Sequence, residues 1–185
     1  MVDEIMASAQ ENMDKTIESL EYSFSTVRTG RANALVLNGI MVDYYGVMTP
    51  INQMAAVKTP DAHMLVVEPW DKGSLRGIEK AILESDLGVT PSNDGSCIRL
   101  PFPALTEERR RDLVKQCKGY VEEARISIRN ARRDANSAIQ KLDKDGEISE
   151  DDARRAEDSI QKLTNKYIDK TEEAFKNKEA EVMEI

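Results

Sequence analysis

Arg125, Arg129, Arg132 and Arg133 stand within one stretch of nine residues, and no acidic residue falls between Glu123 and Asp134. A guanidinium is a planar fork of donors that matches phosphate oxygens, so arginines without interleaved acids suit binding of a polyanion. Arg125 and Arg129 are four apart, as are Arg129 and Arg133, and Arg129 and Arg132 are three apart. On a helix each such pair repels by about 0.2–0.5 kcal/mol. A partner of dense negative charge would offset that repulsion. A solvated basic face has the same signature, and the local pattern leaves both readings open.

The arginines lie in a proline-free stretch from Thr106 to Leu142. Its Leu113, Cys117, Tyr120, Ala124, Ile128, Ala131, Ala135, Ala138 and Leu142 recur at steps of three and four. This spacing predicts one long helix with a buried seam, roughly 55 Å long at 1.5 Å per residue. At about 100° per residue, Arg111, Lys118, Arg125, Arg129, Arg132 and Asn136 share one stripe beside that seam. Thr106 is the expected N-cap, with Glu107 and Glu108 suiting the helix dipole. Arg109 occupies the position where a capping box would need an acid or amide.

The 185 residues carry a formal net charge of −8. An acidic protein with one basic stripe is expected to meet a polyanion in a single orientation, because the rest of its surface repels it. Cys97 and Cys117 are too few and too far apart for a disulfide framework or a zinc site, and read as buried thiols. No apolar run approaches the ~20 residues of a membrane span, and the N-terminal Met-Val-Asp-Glu-Ile-Met lacks the basic region of a leader. The expectation is a cytoplasmic chain without a membrane partner.

Residues 3–28 read as a helix through Ile5, Ala9, Met13, Ile17, Leu20, Phe24 and Val27, with Gly30 placed to stop it. From Ala32 the period changes to two around Ile40, Val42 and Tyr44, and again around Leu65 and Val67, as short strands require. A compact helix capped by Asp71 is expected to bury Leu75, Ile78 and Ile82 and to end near Gly88. Cys97–Leu100 reads as a last strand. Ser149-Glu-Asp-Asp152 has a capping-box pattern and opens a further helix through Ala153, Ala156, Ile160, Leu163, Tyr167 and Ala174 to about Ala180.

The resulting fold class is α+β: an elongated three-helix bundle, residues 1–29 and 105–185, with an inserted small β/α/β domain over 30–104. All the prolines and most of the glycines fall in that insert. Thr29-Gly30-Arg31 and Pro101-Phe-Pro103 carry the chain in and out, so the hinge is expected at 29–31 and 101–104, with Gly30, Arg31, Pro101 and Pro103 as its residues. An L-shaped molecule follows from two such crossings.

Other chemistries fit poorly. Lys141–Asp152 contains Asp143, Asp145 and Gly146 at calcium-loop spacing, but Lys141 replaces the first ligand and Asp152 the bidentate glutamate. A polar turn is the better reading. His63 stands at a turn beside Asp61, without the partners of a catalytic arrangement. Trp70 is expected to cover the small domain's core. No enzyme, metal site or cofactor is predicted. A coiled-coil scaffold and a calcium sensor remain open from the residues alone.

Arg125-Ile-Ser-Ile-Arg-Asn-Ala-Arg-Arg-Asp-Ala-Asn136 resembles the bacterial ribosome recycling factor family. Val27-Arg-Thr-Gly-Arg-Ala32, Leu105-Thr-Glu-Glu-Arg-Arg110, Ile148-Ser-Glu-Asp-Asp152, Ile160-Gln-Lys-Leu-Thr164 and the closing Lys-Glu-Ala-Glu-Val-Met-Glu-Ile185 extend the resemblance over the whole chain. It implies a transfer-RNA-like outline and a non-enzymatic role in translation. With elongation factor G and GTP, such a factor splits the post-termination ribosome, releasing messenger and transfer RNA. The helical domain would lie on large-subunit ribosomal RNA in the intersubunit space, and elongation factor G would push the small domain. Carried over, the RNA contacts are Arg110, Arg129 and Arg132, supported by Arg125 and Arg133, in a monomeric protein.

Overall fold

A computed structural model describes residues Met1–Glu184. Four helices carry most of the chain: α1 (Val2–Ser25), α2 (Leu75–Glu84), α3 (Glu107–Lys144) and α4 (Glu150–Met183). Six strands lie between α1 and α3: β1 (Met41–Tyr44), β2 (Val47–Pro50), β3 (Ala55–Asp61), β4 (Met64–Pro69), β5 (Ser92–Asn93) and β6 (Ile98–Pro101). The expected mixture of long helices with a small β unit is what forms. The chain divides into two compact units, Met1–Phe24 with Lys115–Glu179, and Ser25–Val114 with the chain from Ala180 onward.

The first unit is a helical bundle. Ala9 of α1, Ala135 and Ile139 of α3, and Ala153, Ala156 and Ile160 of α4 form one buried cluster. Met13, Ile128, Ala131 and Tyr167 form another, and the rings of Phe24 and Tyr120 meet at 6.5 Å. Alanine recurs in these contacts because small side chains let helix axes approach closely. Within the expected seam of α3, Tyr120, Ala138 and Leu142 are half-buried, while Val121 and Ile139 are fully buried. Thr164 and Thr171 are also buried in α4. Their hydroxyls donate back to the Ile160 and Ile168 carbonyls at 2.8 and 2.6 Å, so burial leaves neither unpaired.

The ends of α3 and α4 follow from local chemistry. Thr106 Oγ1 accepts from the Arg109 N–H at 3.1 Å, and Ser149 Oγ accepts from the Asp152 N–H at 3.1 Å. At the other end of α3, Gly146 at φ +72° allows its N–H to reach the Asp143 carbonyl and the Glu147 N–H to reach that of Leu142. This left-handed stop satisfies two orphan carbonyls, and Asp145–Ile148 form the polar turn that follows the helix.

In the second unit β3, β4, β6 and β5 form an antiparallel sheet in that order, and β1 pairs with β2. Leu65, Val67, Ile98 and Leu100 meet Leu75, Ile78 and Ile82 in its core. Asp71 caps a single 3-10 turn, Lys72–Ser74, by accepting from Gly73 N–H, and that turn leads into α2. Tyr45 and Gly46, at φ +50° and +85°, form the two-residue hairpin between β1 and β2, the geometry that matches strand twist.

Four expectations need correction. α1 ends at Ser25, and Gly30 has no left-handed φ, so Gly30 is not its cap. Val27 and Arg28 are instead buried in a non-helical connection, where tertiary contacts override helix periodicity. α2 ends at Glu84, short of Gly88, because Ser85 is extended and its hydroxyl donates to the Ile82 carbonyl. α4 continues to Met183 beyond Ala180. Trp70 is 68% exposed: it stands in the bend just past β4, whose last residue, Pro69, takes the buried place.

Two stability outcomes follow. Ile160 is fully buried, and Ile160→Ala should lower unfolding free energy by about 2–5 kcal/mol in urea titration. Burial and the hydrogen bond donated to Asp14 push the Tyr167 hydroxyl from 10.0 up to about 12. The folded state favours neutral tyrosine, so this contribution is complete below pH 10 and is lost as pH rises from 10 toward 12. Urea midpoints should therefore fall less between pH 9 and 11.5 in Tyr167→Phe than in the parent, the Phe variant starting lower.

Candidate nucleic-acid interface

The buried seam of α3 fixes the rotation of the helix, and with it the direction of the arginines. Ile128, Ala131 and Ala135 face the bundle, which turns Arg125, Arg129, Arg132 and Asn136 to the flank. Arg125 to Arg132 spans about 10 Å along the axis.

The four arginines differ in how much of their charge is already answered. Arg125 is half-buried: its Nη1 donates to Glu122 at 2.8 Å and its Nη2 to Glu172 of α4 at 3.2 Å. Its Nε has no partner among the described residues. Arg133 is exposed, with only the adjacent Asp134, at 3.7 Å, paired to it among the described residues. Arg132 donates to the neutral Gln161 amide oxygen of α4 at 3.2 Å, which orients the guanidinium and leaves its charge uncompensated. Arg129 is exposed and makes no hydrogen bond or ion pair among the described residues.

Arg129 and Arg132 therefore present two unanswered positive charges on neighbouring positions of one helix face. Two such forks can take phosphate oxygens along a folded RNA without touching bases. Arg125 works as a clasp between α3 and α4, and Arg133 adds a weakly screened charge beside them. Arg110, in the second unit, is half-buried; its Nη1 donates to the Met183 carbonyl at 3.3 Å, and its Nε has no partner among the described residues.

Among the hinge candidates, Gly30, Arg31, Pro101 and Pro103 all fall in the second unit. Gly30 has open space where a Cβ would point, and Pro101 ends β6. Three side chains escaped the sequence reading. Gln161 and Glu172 lie on α4, and nothing in their local spacing ties them to Arg132 or Arg125. Arg28 lies beside the apolar Val27 at the end of the first helical pattern, and that position was the available signal. Cys97 and Cys117 are buried free thiols, as expected; Cys97 Sγ donates to Asp94 at 3.2 Å. His63 stands at the turn between β3 and β4, its N–H donating to Asp61.

No helix among the described residues is long and apolar enough to cross a membrane. The model of a family described as ribosome recycling factor matches residues 20–183. A ribosome-recycling factor of Bacillus cereus is 54% identical over 185 residues, covering all of both chains. One of Geobacillus thermodenitrificans is likewise 54% identical over the full length of both. A solution structure of a ribosome recycling factor, 38% identical, superposes with a TM-score of 0.75 over 100% of this chain and 98% of its own. Another structure holds the Thermus thermophilus factor with elongation factor G of E. coli, bound to the E. coli post-termination complex. It is 44% identical, covers both chains completely and has a TM-score of 0.66.

The uneven pairing of the arginines separates stability from binding. Arg125→Ala should lower unfolding free energy by about 1 kcal/mol through loss of a half-buried ion-pair clasp. Arg129→Ala should stay within about 0.5 kcal/mol of the parent. Urea midpoints of the two variants check the difference.

Proposed function

Because the chain belongs to the ribosome recycling factor family, we propose that it acts on the post-termination ribosome, splitting it into subunits with elongation factor G and GTP. The helical unit lies on large-subunit ribosomal RNA in the intersubunit space through Arg129 and Arg132, with Arg110, Arg125 and Arg133 in support. The factor is monomeric and cytoplasmic, and catalyses no reaction of its own. The energy for splitting comes from the partner's GTP hydrolysis.

The observation that carries this reading is the pair of uncompensated guanidiniums on an otherwise acidic chain, set within full-length similarity to recycling factors. The repulsion between Arg129 and Arg132 has no internal purpose, and a polyanion relieves it. The inserted segment is the movable part. We place its hinge at Gly30–Arg31 and Pro101–Pro103, where the chain enters and leaves without helix.

The test is light scattering of post-termination ribosomes mixed with this protein, elongation factor G and GTP. Scattering should fall only when all three are present. Arg132→Ala should weaken ribosome binding about tenfold, near 1.4 kcal/mol, and slow the fall in scattering. Its log-affinity against log-salt slope should be smaller by about one unit or less. A flat trace with active partners would sink the assignment, and an Arg132→Ala variant with normal helicity and unchanged affinity and slope would remove Arg132 from the interface.

A further inference from the structure

Arg28 is 5% exposed, and no acid among the described residues pairs with it. Its Nη2 donates to the Pro103 carbonyl, its guanidinium carbon lies 5.2 Å from the centre of the Phe102 ring, and its Nε has no partner among the described residues. Burial, and then the nearby charge of Arg109, hold its pKa below the usual arginine value. Arg109 itself donates to the Asp86 carbonyl at 2.8 Å and offers Arg28 no relief.

The position of this unpaired cation in the chain gives it meaning. Arg28 lies on the connection that enters the β/α/β segment, and Phe102 and Pro103 lie on the connection that leaves it. Both connections are also held at the turn between β3 and β4. Ala32 N–H donates to the Ala62 carbonyl at 2.7 Å, and Phe102 N–H donates to the His63 carbonyl at 2.7 Å. Arg28 adds a direct link between the two connections through the Pro103 carbonyl.

A buried charge without a carboxylate is a poor device for stability, since an apolar side chain of similar length would fill the space without the desolvation penalty. What arginine adds is direction: a charge-assisted bond to one carbonyl, with a ring face fixing the guanidinium plane. We infer that Arg28 is a positioning residue for ribosome splitting, tying the entering and leaving connections together so that the inserted segment moves on both at once. Without the tie, a push on that segment would be taken up by slack in one connection. The inference rests on the proposed splitting activity and deepens it.

The experiment compares the full-length protein with Arg28→Met, which keeps the length without a donor, and with Arg28→Gln and Arg28→Lys, which keep a donor. Splitting is followed by light scattering with elongation factor G and GTP, ribosome binding by sedimentation, and the frame by hydrogen exchange at Ala32 and Phe102. Arg28→Met should keep its helicity and bind ribosomes within twofold of the parent. It should split them at least tenfold more slowly and exchange faster at both amides. Arg28→Lys and Arg28→Gln should recover a measurable part of the rate and of the protection.

Splitting by Arg28→Met within twofold of the parent would overturn the inference, as would equal losses of binding and splitting, or no recovery by either donor variant. Should Arg28→Met fail to fold, the remaining variants carry the test: splitting must fall with the loss of protection, and normal splitting on an unprotected frame refutes the tie. A parent protein that does not split ribosomes refutes the functional assignment instead, and that outcome needs no variant.

Discussion

Ala131 and Ala135, with Ile128 between Ala124 and Ala131 and with Ile139 beyond, give α3 an apolar seam that only other helices can cover. Once α1 and α4 pack there, α3 can no longer rotate about its axis, because a turn of one residue would drive an arginine into the bundle and an isoleucine into water. The azimuth of Arg129 and Arg132 is thus set by residues that touch no partner. Core packing here does the work of preorganisation, since a guanidinium presented from a fixed backbone has less freedom to lose on binding.

The acids of the chain take part in this division. The net charge of −8 could have neutralised the whole stripe, yet Glu122 and Glu172 answer only Arg125. Arg132 is met by the neutral amide of Gln161, which directs the fork without cancelling its charge. Substituting an acid for Gln161 would satisfy the arginine internally and leave the face nearly neutral. The choice of an amide over a carboxylate at one position of α4 is therefore as much a part of the interface as the arginines.

Sequence periodicity revealed the elements whose causes are local. Thr106, Ser149 and Gly146 mark helix ends by groups within four residues of themselves, and the small residues of α3 mark its buried face by spacing alone. The misreadings share a different cause. Gly30 was a reasonable stop for α1, but the helix yields earlier because Val27 and Arg28 gain more from burial in the second unit. Trp70 looked like a core cover, but it falls in the bend past β4, where the last strand residue, Pro69, is the buried one. In the candidate site, the arginines were legible from their spacing, whereas the partners that rank them, Gln161 and Glu172, sit some thirty to fifty residues away in the chain.

Arg28 and Arg125 show what burial of the same side chain can mean in two settings. Arg125 is surrounded by acids from two helices and behaves as an ordinary clasp, stabilising the packing it joins. Arg28 has a carbonyl, a ring face and a second arginine for company, an arrangement that gives up solvation and receives no opposite charge from the described residues. Stability alone does not select such a residue, because methionine or leucine would serve it better. What it retains is a fixed direction between two stretches of chain that are also both held by the turn between β3 and β4, and a segment that must move as one body has a use for that constraint.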